Sequence, residues 1–265
     1  MKYFFQIFLI IILNPFICFP QISNLIQTDS IYKINRVKSI TEFTNGSYIK
    51  KKITNFDKTS KIIEILEFDS SNNIYTKMIF EYDIHSKCIR TISYPFIYED
   101  SVSGKKLDVP YVDSNYIFIT NYNYDKMNRL TSKVEKKFNG EQYSKNSYSY
   151  NPKIEIEQYF DSNKVESESK IFFFENGLMK RQFRHRTNKT EKWDFRYTYK
   201  FDNFGKVTET IFDIKYSAIS KEYYHKINYP IKETNEYLKN GLLKSFTDFY
   251  KSKMTWKHDF EYEYW

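Results

Sequence analysis

Alanine is almost missing from this chain: Ala218 is the only one in 265 residues. The best helix former is absent while β-branched and aromatic residues abound, with Tyr at 25 and Phe at 24. Beyond residue 21 the sequence offers no convincing helix and reads as strands. Cysteine is scarce too, present at Cys18 and Cys88. With the first 21 residues removed only Cys88 is left, no intramolecular disulfide can form, and an exported fold has to rest on its sheet and its aromatics. After residue 21 there is no long apolar run, which predicts no integral membrane helix in the body of the chain. Also missing are a Gly-x-Ser-x-Gly elbow, a glycine-rich phosphate loop and a Cys/His pairing. The four histidines, His85, His185, His225 and His258, have no ligand neighbour at metal-site spacing. Neither a metal nor a cofactor is expected.

What is present begins with Lys2, an apolar run from Tyr3 to Leu13, Asn14-Pro15, and a polar exit at Gln21. That order is a signal peptide over residues 1–21, removed on export. Lipid attachment at Cys18 lacks the small residues that usually precede it. A retained anchor is the third reading, with an apolar run shorter than the roughly 20 residues of a membrane span. Residues 22–265 are long enough for one β domain. The formal charge is +8 and falls to +7 without Lys2. The basic residues are 34 Lys against 7 Arg, whereas phosphate recognition favours the planar fork of Arg, so no nucleic-acid partner is expected.

A phrase returns along the chain: aromatic, Asp, two free residues, a turn former, a polar residue, an aliphatic. It starts at Phe56-Asp57, Phe68-Asp69, Tyr82-Asp83, Tyr124-Asp125 and Phe201-Asp202. Repetition decides architecture before other signals do. Between the phrases period two dominates: Trp193, Phe195, Tyr197, Tyr199 and Phe201 alternate with Lys192, Asp194, Arg196, Thr198 and Lys200. Such a strand has one aromatic and one charged face. Asn45-Gly46, Asn139-Gly140, Asn176-Gly177 and Asn240-Gly241 mark hairpins because both residues tolerate positive φ. Each repeat Asp is expected to accept hydrogen bonds from backbone N–H groups two or three residues on. The stretch at about 95–116 interrupts the pattern and reads as a long inserted loop.

Two phrases carry a family signature. Tyr122-Asn123-Tyr124-Asp125-Lys126-Met127-Asn128-Arg129-Leu130-Thr131 resembles the YD repeat of Rhs-type proteins, as does Tyr199-Lys200-Phe201-Asp202-Asn203-Phe204-Gly205-Lys206-Val207-Thr208. Tyr82-Asp83 with Ser86-Lys87-Cys88 is a weaker copy. Asn128 and Ser86 stand where the family has its turn glycine. The resemblance implies an all-β fold, an antiparallel hairpin-repeat sheet. At this length it is expected to curve into an open roll or spiral and not a closed cage. It implies an exported bacterial interaction protein of the periplasm, cell surface or medium, non-enzymatic, with a glycan or an envelope protein as partner. Two alternatives stand beside it: an outer-membrane β-barrel, and a secreted enzyme with a site of scattered carboxylates such as Glu155/Glu157, Glu166/Glu168 or Glu261/Glu263.

The candidate ligand-binding residues are Lys180, Arg184, Arg186 and Trp193. The first three share one face of a strand, with Gln182 between them, and suit an anionic glycan or acidic partner. The plainer reading is a solvated outer face. Trp193, like Trp256, offers a ring that suits a sugar, although a sheet must bury one face and core is the default for its aromatics. No catalytic residue is assigned.

Overall fold

The computed structural model describes residues 31–44, 50–99, 106–151, 154–161, 164–174, 178–186, 192–217, 231–250 and 253–265. The expected signal peptide lies outside these residues, as do Asn45-Gly46 and Asn176-Gly177. The strands in chain order are β1 (Val37–Thr44), β2 (Lys50–Phe56), β3 (Ile62–Phe68), β4 (Ile74–Tyr82), β5 (Cys88–Pro95), β6 (Ile97–Glu99), β7 (Lys106–Tyr111), β8 (Phe118–Tyr124) and β9 (Leu130–Lys137). They continue as β10 (Gln142–Asn151), β11 (Ile154–Asp161), β12 (Lys164–Phe173), β13 (Met179–Arg186), β14 (Lys192–Phe201), β15 (Val207–Ser217), β16 (Ile231–Tyr237), β17 (Leu243–Tyr250) and β18 (Lys253–Tyr264). The all-β antiparallel sheet of hairpins is what the alternation predicted. One turn of helix at residues 31–34 was not foreseen. It ends where Asn35 N–H donates to Ile31 and Arg36 turns to a φ of 53°.

The expectation of an open roll is corrected by the strand order. β1 pairs with β2 on one side and with β18 on the other, and the ladder β1-β18-β17-…-β8-β5-β4-β3-β2 returns to its start. The seam is well matched. Ile40 faces Tyr262, Glu42 faces Phe260, and the Trp265 N–H donates to the Arg36 carbonyl at 2.9 Å. Closure leaves no unpaired edge among these strands, a saving that an open sheet of this length lacks. Between β5 and β8, which pair directly, the chain leaves the ladder and forms the separate β6–β7 hairpin followed by a 3₁₀ turn at Ser114–Tyr116.

Register partners share a face: Ser39 and Ser245 are buried on one, and the other holds most of the buried side chains. Thr54, Thr91, Thr120, Ile171, Phe195, Thr210 and His258 are buried there, and it is the inside of the barrel. The outer face carries charge pairs across strands, including Lys77–Glu64, Arg181–Asp194 and Lys200–Glu209, all at 2.7 Å. The apolar core gathers at one end, around Val37, Phe56, Ile62 and Leu242, with Ile31 and Tyr32 of the helical turn packed against it.

The repeat phrase becomes one turn built many times. In Asp57–Lys61 the Asp57 N–H donates to the Lys61 carbonyl and the Ser60 N–H to the Asp57 carbonyl. Asp57 Oδ1 accepts from the N–H groups of Thr59 and Lys61, two and four residues on. The same two bonds recur at Asp69, Asp83, Asp125 and Asp202. The expected second bond, from three residues on, is displaced by one because that N–H is taken by the Asp carbonyl. The fourth residue is left-handed whatever its identity: Ser60, Asn72, Ser86, Asn128 and Gly205 have φ between 62° and 78°. Gly140 and Gly241 do the same, while Asn139 and Asn240 accept from the N–H two residues on. These are three-residue loops with a bulge, not the two-residue turns that Asn-Gly suggests.

Candidate functional site

Because the ladder strands are antiparallel neighbours, alternate turns fall at the same end of the barrel. Turns 57–61, 83–87, 125–129, 202–206 and 238–242 crowd one end with the helical turn and Trp265. The β6–β7 insertion leaves from the other end. At the repeat-turn end, Tyr82, Tyr124, Tyr150 and Tyr237 donate from their hydroxyls to the carbonyls of Ile62, Cys88, Leu130 and Val207 at 2.8, 2.8, 2.7 and 2.9 Å. The residue before each acceptor lays its cation over the same ring: Lys61, Lys87, Arg129 and Lys206, at 4.9–5.7 Å from the centroid. Burial raises the Tyr124 phenol to about 12 and the Cys88 thiol to about 11. These groups hold hairpin to hairpin.

The polar groups without such a role lie on the inner face toward the insertion end. Register aligns Trp256, Asp248, Glu233, Thr210 and Tyr199 as one inward row across five strands. Two residues along, His258 Nδ1 and Glu42 Oε1 are 2.7 Å apart and both buried, with Phe246 stacked on the imidazole at 4.2 Å. Lys52 reaches Glu42 Oε2 at 3.2 Å. Burial opposes the Glu42 charge, but the His258 hydrogen bond and then Lys52 and Lys51 outweigh it and hold the carboxyl at about 2. Glu233 goes the other way: burial, helped by neighbouring Asp248, pushes it up to about 7. Burial also raises Asp248, against the pull of His258 and Lys51. Asp248 Oδ1 is buried and accepts no hydrogen bond. Trp256, at the end of this row, is 53% exposed.

Sequence reasoning gave His258 a structural role and passed over Glu42, Glu233 and Asp248. A signal for them exists. Glu233 shares the parity of Ile231 and Tyr237, and Asp248 that of Phe246 and Tyr250, so each is an acid on an aromatic face. Of the four candidate residues, Arg184 and Trp193 are direct cross-strand partners on the inner face, half-buried. Arg184 also faces Ser169 and Arg186 faces Ser167; the Arg186 side chain lies outside the described ones. Lys180 is exposed at the repeat-turn end, its ammonium 5.5 Å from the Phe174 centroid. Four residues of strand, about 13 Å, separate it from Arg184. Of the acidic pairs, Glu168 accepts from Gln158 and Glu263 from Ser39; the side chains of residues 155, 157 and 166 lie outside the described ones. Among the described residues, no three of His, Cys, Asp and Glu group as metal ligands would.

The fold and this row define a closed antiparallel β-barrel of hairpin repeats with a polar inner row near one mouth. No family model matches the chain, and no curated protein matches it. Among solved structures, a porin-like protein from Bacteroides uniformis is 11% identical, with 86% of this chain and 98% of that chain covered and a TM-score of 0.39. A porin-like protein from Bacteroides vulgatus is 10% identical over the same shares, with a TM-score of 0.38. The TcdB2-TccC3-Cdc42 structure is 13% identical over 79% of this chain and 11% of that one, with a TM-score of 0.25. At these scores the likeness assigns no function to this chain.

Proposed function

We propose that this chain is an exported, non-enzymatic interaction protein that takes a carbohydrate at the inward row Trp256–Asp248–Glu233. The observation that carries the reading is an exposed tryptophan ring in register with a carboxylate whose Oδ1 is buried without a donor. A sugar ring stacks its apolar face on an indole while its hydroxyls donate to carboxylates. Glu233, at about 7, both donates and accepts near neutral pH. The mouths of β-barrels are a common place for such ligands. The outward ion pairs suit water and would be costly against lipid hydrocarbon, which counts against an outer-membrane barrel.

Glycan-array binding of the chain from residue 22 tests this. Trp256→Ala and Asp248→Asn each abolish binding, while Arg184→Ala leaves it intact. Loss in Arg184→Ala alone moves the ligand to the Arg184–Trp193 pair. Binding by none of the folded forms overturns the carbohydrate reading and leaves an envelope protein as partner. A second reading, glycoside hydrolysis, is favoured by the raised Glu233 beside Asp248, the arrangement of a general acid near a second carboxyl. Product release that stops in Glu233→Gln while binding persists would establish it.

A further inference from the structure

We propose that the repeat-turn end of the barrel docks on the surface of an anionic lipid bilayer. This inference rests on different residues from the carbohydrate reading and stands apart from it.

The turns at this end share a backbone but not their tips. Ile84, Met127 and Phe204 occupy the tip positions of the turns at 83–87, 125–129 and 202–206, and they are 93%, 71% and 86% exposed. A turn tip has no packing reason to be apolar. The Asp before it already folds the turn through backbone bonds, as Lys58-Thr59 shows in the copy with a polar tip. The three tips are spread around the ring: the first two lie on neighbouring hairpins of this end, and the third lies beyond β13 in ring order. A partner that meets all three at once is broad and flat. A helix or an extended peptide reaches one or two of them.

Charge on the same rim fits that partner. The five described turns carry seven cations (Lys58, Lys61, Lys87, Lys126, Arg129, Lys206, Lys239) against four Asp, a net of +3. Those four Asp carboxylates are engaged by their own turns, each accepting from two N–H groups. The tip cations Lys58, Lys126 and Lys239 are exposed on the same rim; Lys126 precedes Met127, and the Lys58 ammonium lies 5.7 Å from the Trp265 centroid. Apolar side chains that enter the headgroup boundary, ringed by lysines that meet anionic lipid, are the two signals of surface attachment. The first described residues enter the barrel here too: Ile31 and Tyr32 pack on the core of this end.

The test is flotation of the chain from residue 22 with vesicles of phosphatidylcholine alone or mixed with phosphatidylglycerol. All described strands and the whole seam lie within residues 31–265, so the barrel is complete without the apolar run. The parent floats with the mixed vesicles, and Ile84→Ser/Met127→Ser/Phe204→Ser weakens binding at least about tenfold at unchanged circular dichroism. Lys58→Gln/Lys126→Gln/Lys239→Gln weakens it on mixed vesicles, and added salt mimics that loss in the parent. A folded parent that stays with neither vesicle overturns the proposal. So does binding indifferent to the tip substitutions, which would be nonspecific adsorption of a basic protein. Should the serine variant fail to fold, the lysine variant decides: unchanged flotation on mixed vesicles overturns the proposal.

Discussion

Single residues in this barrel are under strain or under charge, and both can be measured. Ser86 holds a φ of 70° and Asn128 one of 64°, in the position where Gly205 has 78°. The left-handed region costs a residue with a Cβ about 1–2 kcal/mol, less for Asn. Ser86→Gly is therefore expected to stabilise by about 1 kcal/mol and Asn128→Gly by less, read as the shift in urea midpoint at constant m-value. Glu233 gives a pH-dependent outcome. Its folded value of about 7 lies above the ordinary 4.5, so its contribution is fully present below pH 4.5 and is lost as pH rises through 7. Glu233→Gln removes that loss: parent and variant match near pH 4, and the variant is more stable at pH 8 by about 3 kcal/mol at most, at about 1.4 kcal/mol per pKa unit. Glu42 behaves oppositely. Held at about 2, it supports the fold above pH 4.5 and stops doing so as pH falls through 2. Thermal midpoints across pH 3–8 that move one way only would contradict the opposed pair.

At the scale of elements, the unit that repeats is a turn plus the tyrosine of a following strand, and the phrase carries only half of it. The Asp at the first position and the left-handed fourth residue were readable because both are local. The hydroxyl of Tyr150 reaching Leu130, with Arg129 over its ring, was not, because it joins hairpins that the phrase alone does not place side by side. Insertions hide it further: Tyr124 reaches back 36 residues and Tyr237 reaches back 30, while Tyr82, Tyr150 and Tyr199 reach back 20. Tyr150→Phe should cost about 1 kcal/mol for the lost hydrogen bond. Tyr150→Leu should cost more, since the cation loses its ring as well. Equal unfolding midpoints for the two variants would remove the cation from the unit. The inner row near the mouth was illegible for a related reason. Parity alone sets Glu233 and Asp248 on an aromatic face, but their adjacency depends on how β16 registers against β17.

For the whole molecule, closure is the property the sequence hid most completely. Alternation predicts strands, and the repeat predicts hairpins in series. Neither says whether the first strand meets the last, because that depends on the accumulated twist and stagger of all the strands between them. The core sits where the ends join, with Val37 and Leu242 both almost fully buried. Leu242→Ala should destabilise by about 2–5 kcal/mol, the range for truncating a buried leucine. In a barrel that unfolds as one unit, the loss appears as one shifted urea transition, with circular dichroism and tryptophan fluorescence coinciding. Two separated transitions would mean that the seam opens before the rest.

That seam sets a timetable. Glu42 and His258 are 216 positions apart and touch, so this contact cannot form until nearly the whole polypeptide exists in one place. A chain emerging from a ribosome or a translocation pore pairs its hairpins in turn and still exposes the free sides of its first strand and its newest one. Any chain that stops short of residue 253 keeps both sides open for good, ready to join a second unfinished copy or a protease. The strand Lys253–Tyr264 thus decides whether a loose edge remains on the first strand.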